Sequence, residues 1–208
     1  MEIVLGLAIL VYSAILHEIA HGYVADRLGD PTARLAGRLT LNPLKHIDPY
    51  FTILMPLLLY VLPPHIAIGG AKPVPIDPFN LKDGRKDIAL VSLAGPLTNI
   101  LLAVISALIL KLFVFIPFLN NNILSAIFGE IVVINLYLAI FNLLPIPPLD
   151  GSKIFALLLP EKEAQAYLSI GQIGIFILLF LLMFPLGGFS LQGLIFNLFY
   201  FAKSLLGV

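Results

Sequence analysis

The sequence predicts an all-α polytopic membrane protein, and three observations carry that expectation. Of its 208 residues, 60% are hydrophobic and only 12% are charged, about half the charge of an ordinary soluble domain. The mean hydropathy is +1.03. The apolar residues gather into runs of about 20, the length a helix needs to cross a hydrocarbon core of roughly 30 Å. Lys+Arg 12 against Asp+Glu 12 leaves a formal net charge of +0, and with no block of like charge this argues against a nucleic-acid partner. Without cysteine there is neither a disulfide frame nor a thiolate metal site.

The first expected span covers residues 2–25 and ends at Asp26-Arg27. It follows Met1-Glu2 without a basic leader or a small-residue cleavage site, so a retained span is expected and not a signal peptide. Residues 26–47 are polar and basic, with Gly29-Asp30-Pro31 and Asn42-Pro43 as turn signals. The apolar stretch 50–62 is only about a dozen residues long, contains Pro56 and stops at Pro63-Pro64, which suits a re-entrant or half-crossing segment. Across 65–80, Pro73, Pro75 and Pro78 alternate with Ile66, Ile68, Val74 and Ile76, the spacing of a membrane-associated strand or hairpin.

Further spans are expected at about 87–116 and 123–148, the second running into Pro145-Ile146-Pro147-Pro148, where regular helix must break. Two last spans are expected at about 166–184 and 189–206. The count is about five transmembrane helices plus the re-entrant segment, or six if 50–62 spans. Residues 1–160 are expected to form the core unit, and 161–208 two additional helices. If 50–62 returns to the side it came from, one side collects every basic residue except Lys111. The positive-inside rule then makes that side cytoplasmic, with the N-terminus outside, in a multi-pass protein of the cell membrane.

Chemistry concentrates at His17-Glu18-Ile19-Ala20-His21. On a helix, His17 and His21 are i and i+4 and can share a metal ion, with Glu18 beside them. Ionisable groups at that depth are expensive, so a functional site is the default reading, against a packed polar pair joining helices. A catalytic zinc usually takes three protein ligands and keeps one open position. The third is to be found among His46, His65 or a buried acid, and Asp150 has the best placement. At 1.5 Å per residue, Asp150 and the two histidines both lie about 8 to 15 Å inside the same face. Asp150 capping the following helix is the bland alternative. Asn99, Asn135 and Asn142 also read as hydrogen-bonding glue between helices, and Gly95 as a close-packing residue.

These motifs carry a family resemblance. His17-Glu18-Ile19-Ala20-His21, Gly95-Pro96-Leu97-Thr98-Asn99 and the run from Asn142 to Gly151 resemble the three motifs of site-2 proteases, zinc enzymes that cut transmembrane substrates. Gly37-Arg38-Leu39-Thr40-Leu41-Asn42-Pro43 and Gly70-Ala71-Lys72-Pro73-Val74-Pro75 are similar to stretches of a compact prokaryotic branch. The PDZ and CBS domains of other branches have no counterpart in these residues. The resemblance implies one zinc on His17, His21 and Asp150. It implies Glu18 as general base towards the zinc-activated water, and Asn142 stabilising the oxyanion or orienting substrate. It implies a transmembrane protein substrate in the bilayer, pairing with the extended segment around 66–77, and leaves self-association open. A membrane metal transporter or sensor built on the same three residues is the alternative.

Overall fold

A computed structural model describes residues 2–47, 71–115 and 122–208. The expected re-entrant segment 50–62 and residues 65–70 of the expected strand lie outside the described residues. What is described is helical, with no strand.

Helix α1 (Glu2–Leu28) runs unbroken because no proline interrupts it. It stops at Gly29, whose φ of 116° suits a residue without Cβ, and Pro31 follows. A single turn, α2 (Thr32–Leu35), comes next. Residues 71–77 carry no regular secondary structure. Helix α3 (Arg85–Phe115) contains Pro96, which leaves the Ser92 carbonyl without its helical N–H partner. Helix α4 (Asn122–Asn142) ends ahead of the prolines, and Pro147-Pro148 is joined by a cis peptide. Then follow α5 (Asp150–Phe155), α6 (Glu161–Ser169), α7 (Gly171–Met183) and α8 (Leu191–Leu206). Helix α8 is capped by Ser190 and closed by Gly207 in the left-handed region.

Three of these helices are long and apolar enough to cross a membrane: Val4–Leu28, Arg85–Phe113 and Ile123–Asn142. Side-chain contacts set their order. His21 meets Val91 and His17 meets Asn99, so α1 and α3 are antiparallel. Asn99 meets Asn135 and Phe113 meets Phe128, so α3 and α4 are antiparallel too. Leu28, Arg85 and Asn142 therefore lie at one end of the bundle, and the chain between α1 and α3 leaves and returns at the same face.

The exposure pattern suits lipid. Asn99 and Asn135 are 0% exposed while Leu101 and Leu108 on α3 are 57% and 60% exposed, the inverse of a soluble helix. Ala103 and Ala107 of α3, Val132 and Leu136 of α4 and Phe199 of α8 form a packed core. Tyr137 stacks on Phe199 with ring centroids 4.3 Å apart. A second cluster of Leu144, Leu178, Leu191 and Ile195 seats α7 and α8 against the proline-broken segment.

The two expected C-terminal spans take a more broken form. The pair Glu161–Ser169 and Ile173–Met183 is bent by 72°, and Leu191–Leu206 is a shorter apolar helix. Helix α6 begins with Glu161, Lys162 and Glu163, which keeps its first turn polar. Gly174 lies against the Pro147 carbonyl, where an added Cβ would stand 1.9 Å from the oxygen. Helix α7 is thus docked on the proline loop and does not continue the line of α6.

Candidate metal centre

The uninterrupted α1 puts His17 and His21 on one face, with ring centroids 4.6 Å apart. The third group comes from a chain break. Helix α4 stops at Asn142, the prolines turn the backbone, and Asp150 opens α5. Leu149 is the residue preceding α5 and contributes no side-chain cap, so the Asp150 side chain is free to face α1 instead of capping its own helix. The approach is close: a Cβ on Gly151 would lie 2.2 Å from the Leu143 carbonyl oxygen. Arg85 of α3 ties the following turn down, donating to the carbonyls of Ala156 and Leu159 at 3.0 Å each and pairing with Glu161 at 2.9 Å.

His17 Nε2 and His21 Nε2 lie 2.9 Å apart, and Asp150 Oδ2 lies 3.2 Å from the first and 3.1 Å from the second. All three residues are buried, and among the described residues they are the group whose geometry could hold a metal ion. Their remaining atoms have partners. His17 Nδ1 lies 2.6 Å from Asn99 Oδ1, and His21 Nδ1 lies 2.7 Å from the Val91 carbonyl. Lys153 Nζ reaches Asp150 Oδ1 at 3.3 Å. With each Nδ1–H given to an oxygen, both Nε2 atoms bring lone pairs to a carboxylate oxygen. Three acceptors facing one another out of water are unfavourable unless a cation joins them.

Gly95 completes the cradle. A Cβ there would stand 2.5 Å from the Nε2 atoms of both His17 and His21, so the glycine clears the space in front of the two donor atoms. The close-packing role expected of Gly95 is real, and its neighbours are the imidazoles themselves. Pro96, in the same stretch of α3, frees the carbonyl of Ser92, the neighbour of the Val91 carbonyl that His21 uses.

Glu18 is half-buried one residue along α1, and its Oε2 accepts the backbone N–H of Val74 at 2.8 Å. The segment bearing Val74 is fastened by single bonds and not by a ladder. Arg38 Nη2 donates to the Lys72 carbonyl at 2.7 Å, Lys72 N–H donates to the His46 carbonyl at 2.7 Å, and Asp77 N–H donates to Asp30 at 2.8 Å. Val74 packs where an added Cβ on Gly22 would meet it at 2.9 Å. Burial pushes the Asp30 carboxyl up, but bonds from the Thr32 hydroxyl, the Asn80 amide and the backbone N–H groups of Asp77 and Thr32 hold it below the usual carboxylate range.

The remaining expected residues fall elsewhere. His46 is buried, and its Nε2–H donates to the Thr40 carbonyl at 2.8 Å, outside the metal cluster. His65 lies outside the described residues. Asn142 gives an amide hydrogen to the Leu138 carbonyl of its own helix at 3.0 Å. The contacts of Val74 with Glu18, of Arg38 with the Lys72 carbonyl and of Gly95 with the imidazoles were not among the sequence expectations. The glycine-proline pair inside an apolar run was the visible signal for Gly95; for Arg38 and Val74 it was the two stretches that carry the family resemblance, which do not say what the side chains touch.

Similarity to known proteins matches this geometry. The profile of Peptidase family M50 matches residues 116–185. "Putative zinc metalloprotease YwhC" of Bacillus subtilis is 38% identical over 188 residues, 88% of this chain and 81% of that protein. The chain belongs to peptidase family M50. Two further relatives are "Putative zinc metalloprotease Rip2" of Mycobacterium tuberculosis and "Putative zinc metalloprotease MJ0611" of Methanocaldococcus jannaschii. The first is 33% identical, over 94% of this chain and 71% of its own length. The second is 45% identical over 66 residues, 31% of each chain. No solved structure matches this M50 peptidase.

Proposed function

We propose that this chain is an intramembrane zinc endopeptidase that hydrolyses peptide bonds within or near transmembrane segments of membrane proteins. One observation carries the reading: two histidine Nε2 atoms and one carboxylate oxygen converge within 3.2 Å of one another in a buried site, one residue from a glutamate. The donor set suits zinc, because ligand atoms about 2.0–2.1 Å from a tetrahedral ion stand about 3.3 Å apart.

His17, His21 and Asp150 would hold the ion. When bound, zinc supplies Lewis acidity, polarising a carbonyl and making water acidic near neutral pH. Glu18 takes the proton of the attacking water and passes it to the leaving amide nitrogen, as one group serving as base and then acid. Because Oε2 accepts the Val74 N–H, Oε1 is the oxygen open to that proton. Asn142 keeps one amide hydrogen beyond its bond to Leu138, which is the hydrogen available to a substrate oxyanion.

The same reading places the chemistry near the cytoplasmic side, with residues 1–160 as the catalytic core and 161–208 as added helices. The basic loops at the end of the bundle that holds Leu28 and Arg85 support it. The test is Glu18→Gln in purified protein with a transmembrane substrate in detergent. Cleavage should fall by about 10²- to 10⁴-fold with zinc still bound. Cleavage at the wild-type rate contradicts the assignment of Glu18, and metal flux in proteoliposomes that survives the substitution would establish a transporter instead.

A further inference from the structure

Two buried asparagines connect the metal cradle to α3 and α4. His17 Nδ1 lies 2.6 Å from Asn99 Oδ1, and Asn99 Nδ2 lies 2.8 Å from Asn135 Oδ1. Asn135 Nδ2 lies 2.9 Å from Ser13 Oγ and 2.9 Å from the backbone carbonyl of Ile131. Asn99 and Asn135 are fully buried, and Ser13 is buried beside them. The chain of bonds crosses α1, α3 and α4.

Its polarity is fixed from one end. A backbone carbonyl can only accept, so the nitrogen of Asn135 must face Ile131. The oxygen of Asn135 then faces Asn99, whose nitrogen must turn towards it, leaving Asn99 Oδ1 on His17. His17 can meet that oxygen only with Nδ1–H. Its lone pair is therefore on Nε2, the atom that faces His21 and Asp150. Reversing any link would set two donors or two acceptors against each other in a buried setting, which is costly.

We propose that Asn99, keyed through Asn135 to the Ile131 carbonyl, is a positioning residue that fixes the tautomer and ring orientation of His17 for metal binding. The proposal rests on reading His17, His21 and Asp150 as the metal ligands. Gluing α3 to α4 would need only the bond between Asn99 and Asn135. The other end of Asn99 sits at 2.6 Å on a ligand imidazole, where metal-binding histidines receive their orienting acceptor. His21 receives the same service from the Val91 carbonyl, so both imidazoles are oriented by neutral oxygens. An amide does this without adding a charge to a membrane span.

The experiment measures zinc affinity of the full chain in detergent by competition with a chelating dye, with the thermal midpoint of the metal-free protein alongside. Asn99→Leu should weaken zinc binding by about 10- to 100-fold, while Asn99→Asp, which keeps an acceptor for the Nδ1–H but turns its second oxygen towards Asn135 Oδ1, should lose less. Asn135→Leu cuts the relay one link further away and should give a smaller loss. Zinc affinity at the wild-type level in Asn99→Leu, whatever its thermal midpoint, overturns the relay and leaves the cradle standing. If Asn99→Leu does not fold, Asn99→Ala reads the same quantity, and unchanged affinity there overturns the proposal equally. A wild type that binds no zinc overturns both the relay and the cradle.

Discussion

The backbone N–H of Val74 donates to Glu18 Oε2 at 2.8 Å across 56 residues of chain. A segment with no regular secondary structure thus holds one oxygen of the proposed general base, and among the described residues no hydrogen bond holds the other. Val74→Pro removes this donor while Val74→Ala keeps it, so the two separate the hydrogen bond from side-chain packing. Cleavage by Val74→Pro should fall by about 10- to 100-fold through misplacement of the carboxylate. Val74→Ala should fall less, and zinc content should be unchanged in both. Faster cleavage by Val74→Pro would mean that the bond restrains Glu18 and does not orient it.

Gly95 offers a sharper steric test. Its substitution by alanine adds one methyl group, at 2.5 Å from both histidine Nε2 atoms. Alanine favours helix over glycine by about 1 kcal/mol, so helix content should be kept or raised by Gly95→Ala. Zinc per chain should fall strongly while circular dichroism stays that of wild type. Full zinc content in this variant would show that the imidazoles sit elsewhere in the working enzyme.

Asp30 predicts an acid dependence away from the metal. Its carboxylate is held below the ordinary range by hydrogen bonds that tie the end of α1 to residues 77–80. A carboxylate with a depressed folded-state pKa gives stability that is present above the unfolded value of about 3.9 and is lost as pH falls through the folded pKa. The thermal midpoint of wild type should therefore drop below about pH 4 by more than that of Asp30→Asn, which should already be lower at neutral pH. Parallel curves for the two proteins would remove Asp30 from the account.

Much of this was legible in the sequence, and the physical reason differs from element to element. The histidine pair could be read because i and i+4 spacing is local. Asp150 could be placed because helix rise converts residue count into depth, and the prolines after Asn142 announced the break that frees it. The spans α1, α3 and α4 follow from apolar length alone. Less could be read where tertiary contacts decide. Asn99 and Asn135 looked like glue, since the direction of an amide chain depends on which carbonyl lies at its far end. The proline-edged segment suggested a strand, yet residues 71–77 are secured by isolated bonds from Arg38, Glu18 and Asp30, each from a distant part of the chain. The break between α6 and α7 depends on Gly174 meeting Pro147, which no periodicity reveals.

The central claim is that His17, His21 and Asp150 hold one ion, and metal analysis of the purified protein tests it most directly. Wild type should carry about one zinc per chain, and His17→Ala, His21→Ala and Asp150→Ala should each lose most of it while remaining folded. Stoichiometric zinc in folded Asp150→Ala, or none in wild type, would contradict the account.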